Sequence, residues 1–181
     1  MPTFKSRGLR GSNFEEMVNR TNDYYRSKGL LIVQKIPTPI TPITIDEKSR
    51  HITLAYFEMK STVDYMGAVQ GYPVCFDCKE ISKDRVSLQN IHPHQVDFMK
   101  EFQLQGGIAF FLFYFTHREI YYYMPIDDME VFVNRSKEEK GRKSFNYNEL
   151  KEEYFFKMKP GLLVPYLDMI ALNLKKKEEN T

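Results

Sequence analysis

The chain has 181 residues, 42% of them apolar, which suits one domain with a real core and excludes a disordered composition. No stretch approaches the roughly 20 apolar residues that cross a bilayer, and the N-terminus MPTFKSRGLRGS lacks the apolar core of a secretory signal, so a cytoplasmic protein with no membrane partner is expected. The net charge of +2 decides nothing about nucleic acid.

Ser12-Asn13-Phe14-Glu15 has the form of a capping box, so a helix is predicted from Ser12 to near Gly29, with Phe14, Met17, Val18, Thr21 and Tyr25 on its apolar face. Leu30–Ile36 reads as a strand. The prolines at 37, 39 and 42 exclude helix and any central strand. Strands at Ile43–Ile45 and His51–Glu58, joined by the charged turn Asp46–Arg50, form a hairpin with too few apolar residues to be all core. It is expected to protrude. Asp64–Val69 and Tyr72–Lys79 form a second hairpin around Gly71. A helix follows from about Pro93, capped from Asn90–His92 and ended by Gly106. Ile108–Phe115 reads as a buried strand with Ile120–Met124 paired behind it, and helices are predicted near Asp127–Val133, Tyr147–Glu153 and Pro165–Leu174. The sum is an α+β fold, a mixed sheet flanked by helices. Residues 1–11 form a basic arm, 12–174 a single domain with 37–60 projecting, and 175–181 a polar tail.

The chemistry concentrates in Asp64 and Phe76-Asp77-Cys78-Lys79. Strand side chains alternate, so Asp77 and Lys79 share one face while Phe76 and Cys78 turn to the core. Asp64 can join them from the neighbouring strand. Two carboxylates suit Mg²⁺, which takes oxygen ligands and keeps several waters. A lysine beside such an ion can orient or deprotonate a water for attack on phosphorus. The pattern is D…(D/E)-x-K, as in restriction-enzyme-like nucleases, although an Asp–Lys pair on a strand is also an ordinary surface salt bridge.

Several collinear stretches resemble the RecU family of Holliday junction resolvases. They are Arg7-Gly8, Gly11-x-x-x-Glu15, Thr21-Asn22, Pro37-Thr38-Pro39, Ala55-Tyr56-Phe57, Ser61-Thr62-x-Asp64-Tyr65-x-Gly67, Phe76-Asp77-x-Lys79-Glu80, Leu88-Gln89-Asn90-x-His92-x-His94-Gln95 and Gly141-Arg142-Lys143-Ser144. The resemblance implies a restriction-endonuclease-like fold and a homodimer that cuts paired strands of a four-way junction with Mg²⁺, Mn²⁺ substituting. A branch-migration helicase and a recombinase are implied as partners. It maps catalytic carboxylates onto Glu15, Asp64 and Asp77, with the Cys78 carbonyl as a further metal ligand, and the catalytic lysine onto Lys79. Residues 37–60 become a stalk that enters the junction, with Lys48 and Arg50 near its tip as phosphate contacts. Three departures stand out. Residue 77 is Asp where cellular members carry Glu, Val63 replaces a threonine, and the N-terminal arm is short.

Other residues keep two readings. Arg7, Arg10, Arg142 and Lys143 are DNA-contact candidates or solvated surface. Glu15 is a cap or a metal-site residue. Gln95, on the first helical turn after the catalytic strand, is a candidate neighbour of the site. His92 and His94 cap or hydrogen-bond more readily than they ligate. Cys75 and Cys78 read as reduced, structural thiols, since no second ligand pair accompanies them. Tyr121–Tyr123 read as packing residues rather than base-stacking ones. The rival functions are a nuclease for linear duplexes or flaps and a non-catalytic DNA-binding scaffold.

Overall fold

The apolar run at Ile108–Phe115 becomes a strand at the middle of a six-stranded sheet, with seven of its eight residues buried. In the computed structural model, which describes residues 13–57 and 62–179, the chain runs α1 (Asn13–Ser27), β1 (Leu31–Lys35), β2 (Ile40–Ile45), β3 (Ile52–Phe57), β4 (Tyr65–Val69), β5 (Tyr72–Ile81), β6 (Arg85–Ser87), α2 (Pro93–Leu104), β7 (Ile108–Phe115), β8 (Ile120–Pro125), α3 (Ile126–Lys137), β9 (Ser144–Asn146), β10 (Phe155–Phe156) and α4 (Tyr166–Glu179). The sheet order is β1-β4-β5-β7-β8-β10. All neighbours are antiparallel except β5 and β7, which run parallel across the crossover made by α2. The sheet is therefore mixed, as the sequence implies.

Both faces are covered. Phe14 of α1 packs 5.5 Å from Tyr114 and 5.6 Å from Tyr121, while Tyr166 of α4 lies 5.3 Å from Phe76 and 6.1 Å from Phe110. On the opposite face Phe113 meets Phe145, which stacks at 4.5 Å on Phe132 of α3. Each such ring removed from water contributes about 1.5–3 kcal/mol. Thr21, Asn22 and Asn173 give this core its polar register. The Thr21 hydroxyl accepts from the Val164 amide, Asn22 accepts from the Tyr166 hydroxyl, and Asn173 joins Tyr154 to Tyr123. Tyr121, Tyr122 and Tyr123 are buried and are packing residues.

β2 and β3 form a separate two-stranded sheet whose residues are nearly all exposed, the projecting hairpin of the sequence reading. Pro42 sits in it without cost because no third strand needs its missing N–H. Asp46 closes the turn, its Oδ1 accepting from the Lys48 and Ser49 amides, and Arg50 turns the chain at φ 57°. Those two amides hold the exposed Asp46 carboxyl below its usual range.

Four readings need correction or fall outside view. Tyr147–Glu153 is not a helix but two 3₁₀ turns, because Leu150 and Lys151 are extended so that the Lys151 amide reaches the Tyr122 hydroxyl and Tyr154 is buried. Lys175–Lys177 are not tail but the last turns of α4, where Lys176 pairs with Glu153 and Lys177 with Asp127. His92 occupies the cap position of α2 without a side-chain cap bond; Pro93 at the first turn supplies the start instead. The Ser12 cap, the arm at 1–11 with Arg7 and Arg10, Glu58–Ser61 and the last two residues lie outside the described residues. The short β6–β9 ribbon and β10 were not foreseen.

Gly67 marks the tightest strand approach: a Cβ there would lie 1.9 Å from the Ile32 carbonyl oxygen. Gly67→Ala is expected to destabilise the fold by about 3 kcal/mol or more, since backbone must move. Urea unfolding measures this, and a loss under about 1 kcal/mol would refute the stated approach.

Candidate active site

The β4–β5 hairpin fixes the geometry. Tyr65 pairs with Phe76, so the residues one step further on, Asp64 and Asp77, stand opposite each other on one face. Lys79 follows two residues on, on the same face. The Lys79 ammonium lies 2.5 Å from Asp77 Oδ2, and the Cys78 amide donates to Asp64 Oδ2 at 2.9 Å. The Asp64 backbone is held in turn, its carbonyl accepting from the Ile36 amide at 2.8 Å. Three residues that the sequence places together are together.

What alternation alone does not show is that this face is covered. Asp77 is fully buried, and α2 lies over it with Gln95, itself 5% exposed, donating from Nε2 to Asp77 Oδ1 at 2.7 Å. The Lys79 ammonium is the partner of Oδ2, while Gln95 Oε1 is buried without a hydrogen-bond partner. Burial pushes the Asp77 carboxyl up to about 7, with Lys79 pulling it back and Asp64 adding to the rise. Held that far above 3.8, the charged form carries a penalty on the order of 4 kcal/mol. One lysine does not offset it.

A hard divalent cation fits such a site. Two carboxylates face each other, one of them fully buried and costly to charge, and Mg²⁺ takes one or two carboxylates while keeping several waters. Among the described residues no three acidic, histidine or cysteine side chains close around one point. Glu15 accordingly differs from the expectation of a third converging carboxylate. It sits on α1, across the sheet, where its carboxylate pairs with Lys35 at the end of β1. Its backbone carbonyl accepts from the Tyr65 hydroxyl, which also donates to Asn19. The buried Cys78 thiol, raised well above its ordinary value by burial, registers the Asp64, Asp77 and Glu15 charges too, so Glu15 borders the site without closing it. Both cysteines are free and buried.

The remaining candidates lie elsewhere. Lys48 and Arg50 are exposed in the hairpin turn. Arg142 is paired with Glu149, which Arg135 also holds, and Lys143 is exposed beside it. His92 and His94 stack on each other with centroids 5.4 Å apart. Sequence reading missed Lys35, Asn19 and Tyr65. Asn19 stands one helical turn from Glu15 and Tyr65 next to Asp64 in a quoted stretch, but Lys35 is twenty residues from Glu15 and nothing local reveals that it crosses to α1.

Comparison with known proteins agrees with the residue pattern. The family model "Recombination protein U" (RecU) matches residues 9–172. Proteins named Holliday junction resolvase RecU from Streptococcus pneumoniae strains Taiwan19F-14 and CGSP14 are each 38% identical over 171 residues, covering 91% of this chain and 84% of theirs. Among solved structures, Archaeoglobus fulgidus Hjc, a Holliday junction resolvase from an archaeal hyperthermophile, aligns over 72% of this chain and 88% of its own at 8% identity and a TM-score of 0.40, a likeness too slight to bear on function. With the family model and the pneumococcal relatives both spanning nearly the whole chain, this protein belongs to the RecU family of recombination proteins.

Proposed function

We propose that the protein is a metal-dependent endonuclease that resolves four-way DNA junctions by paired nicks, acting as a homodimer in the cytoplasm. The observation that carries this reading is the buried carboxylate of Asp77 held between Lys79, Asp64 and Gln95 on a rigid central strand. Neither folding nor DNA binding requires a charge in that place; removing it would stabilise the sheet. Family membership and the names of the relatives support the substrate.

Asp64, Asp77 and the Cys78 carbonyl would hold Mg²⁺, or Mn²⁺ in its stead. When bound, the ion supplies electrostatic stabilisation of charge developing on the phosphate and lowers the pKa of a bound water. The chain's own residues do the rest. Asp64 is kept in place by the Cys78 amide, so hairpin geometry rather than side-chain freedom sets the carboxylate spacing. Lys79, about one-fifth exposed while Asp77 is buried, stands at the boundary between solvent and site and orients the attacking water. Glu15, tied to Lys35, tunes the local charge from α1. Hydrolysis leaves a 5′-phosphate and a 3′-hydroxyl. Paired cuts across a two-fold junction require two such sites, hence a second copy of the chain. Of the expected phosphate contacts, Lys48 and Arg50 on the hairpin are the readiest, while Lys143 and the paired Arg142 are further candidates and Arg7 and Arg10 would act from the arm.

The β2–β3 hairpin serves as the junction-reading element. Ile43, Ile45, Ile52, Leu54, Tyr56 and Phe57 are about half exposed or more, an apolar surface that an isolated two-stranded sheet does not sustain in water without a partner. Base faces at the centre of an open junction offer one.

Three outcomes test the reading. With Mg²⁺ and a synthetic four-way junction, wild type gives paired symmetric nicks, whereas Asp77→Ala and Lys79→Ala lose at least about 100-fold in rate yet still shift the junction in a gel; an Asp77→Ala protein that cuts normally would falsify the site. Replacing residues 43–54 with a short Gly-Ser turn abolishes junction cleavage; full activity after that change assigns the enzyme to duplexes or flaps instead. The third concerns pH. The folded Asp77 carboxyl titrates near 7 and the unfolded one near 3.8, so the folded state keeps a proton that the unfolded state releases. Metal-free protein therefore loses stability as pH rises from about 4 to about 7. In EDTA, the melting temperature of Asp77→Asn should exceed that of wild type by a margin that grows across this window and vanishes below it. A margin independent of pH contradicts the assignment.

A further inference from the structure

The short β6–β9 ribbon lies on the same face of the sheet as Asp77. Phe145 of β9 packs its ring 5.9 Å from Phe113, the register partner of Lys79 across β5 and β7. Val86 and Phe145 pair and are buried, so alternation turns Arg85 outward. The ribbon is also tied to the helix over the site: the Leu88 amide donates to the Lys143 carbonyl at 3.1 Å, and α2 follows from Pro93. Gly141 sets where Lys143 stands. A Cβ there would lie 2.0 Å from the Arg135 carbonyl oxygen, so the chain crosses close over the end of α3.

Charge on this ribbon is unevenly paired. Asp84 accepts two hydrogen bonds from Arg118, at 2.6 and 2.7 Å, and meets His117, which together hold its carboxyl well below the usual range. Glu149 is held by Arg135 and Arg142, so Arg142 braces the ribbon. Lys83, Arg85 and Lys143 are exposed and, among the described residues, make no ion pair. Arg85 is also aimed. Its Nε donates to the Ser144 hydroxyl at 3.0 Å, on a residue 2% exposed, which leaves both terminal nitrogens for an outside acceptor.

We infer that Lys83, Arg85 and Lys143 form a second DNA contact, a phosphate grip on the duplex arm that leads into the active site. The inference rests on the junction-cutting reading above and adds a surface apart from the projecting hairpin. A guanidinium held by its Nε presents a fork that takes phosphate oxygens two at a time, and the lysines act as point charges beside it. An acidic protein partner would need apolar contact within the charged rim, and the ribbon turns its own apolar residues, Val86 and Phe145, inward. Phosphate contacts carry no sequence information, so this grip holds any duplex and fixes its register.

The test measures fluorescence anisotropy of full-length protein in EDTA with a labelled four-way junction and with a labelled linear duplex, as salt is raised from about 50 to 200 mM. Each phosphate neutralised adds about 0.9 to the slope of log affinity against log salt. The triple variant Lys83→Ala, Arg85→Ala, Lys143→Ala should lower that slope by roughly 2–3 on both DNAs, and each single exchange by about 0.9. The melting temperature should stay at the wild-type value, because all three side chains are exposed. The control Arg26→Ala, Lys28→Ala, Lys157→Ala removes the same formal charge from outside the ribbon and should keep the wild-type slope. An equal fall in the control makes the effect one of net charge and overturns the grip. A fall on the junction alone moves these residues to the crossover and overturns the assignment to an arm. Wild-type protein that binds the junction while the triple variant matches its slope sinks this inference and spares the proposed function. Wild-type protein that binds neither DNA sinks both.

Discussion

A carboxylate held out of water in the middle of the sheet is the constraint around which this protein is arranged. Asp77 sits on β5, between the hairpin partner β4 and the parallel partner β7, beneath α2. Each neighbour supplies one piece of its surroundings. β4 brings Asp64 to the facing position, β5 itself brings Lys79, and α2 brings Gln95. A site built from strand and helix backbones holds its groups within tenths of an ångström, which loops seldom do. The penalty on charging Asp77 is a local instability that a bound cation would relieve.

The aromatic layers below make that arrangement rigid. Tyr65, Phe76 and Phe110 stack in sequence at 4.8 Å across three neighbouring strands, directly behind the acidic face. Because strand side chains alternate, the same two strands that present Asp64 and Asp77 to one side press Tyr65 and Phe76 into the other. Tyr65 then reaches α1 through its hydroxyl, linking the hairpin to the helix that carries Glu15. The far hairpin has no such backing, and its apolar residues stay exposed.

Much of this was legible in sequence because it depends on local period. The i, i+2 spacing of Asp77 and Lys79 fixes their common face wherever the strand ends up, and Gly71 in the turn fixes which residue of β4 opposes which of β5. The prolines at 37, 39 and 42 by themselves exclude helix. What local period does not carry is the third dimension. It placed Asp77 on a face but not beneath a helix, so the burial that shifts its proton was invisible. It assigned Glu15 to the cluster but could not show its pairing with Lys35, a contact spanning twenty residues. Tyr147–Glu153 has helical composition, but the need to bury Tyr154 against Tyr122 and Tyr123 outweighs a weak local preference. The recurrence of short family stretches in one order compensated for the weakness of each alone.

The parallel pairing of β5 with β7 has a kinetic consequence. The β4–β5 hairpin is a local contact and closes quickly, so both aspartates meet early. The crossover through α2 closes a far longer loop and is slower. Until it docks, Asp77 is open to water and behaves as an ordinary acid, with Gln95 nowhere near it. The buried site therefore waits on that crossover, not on the hairpin alone.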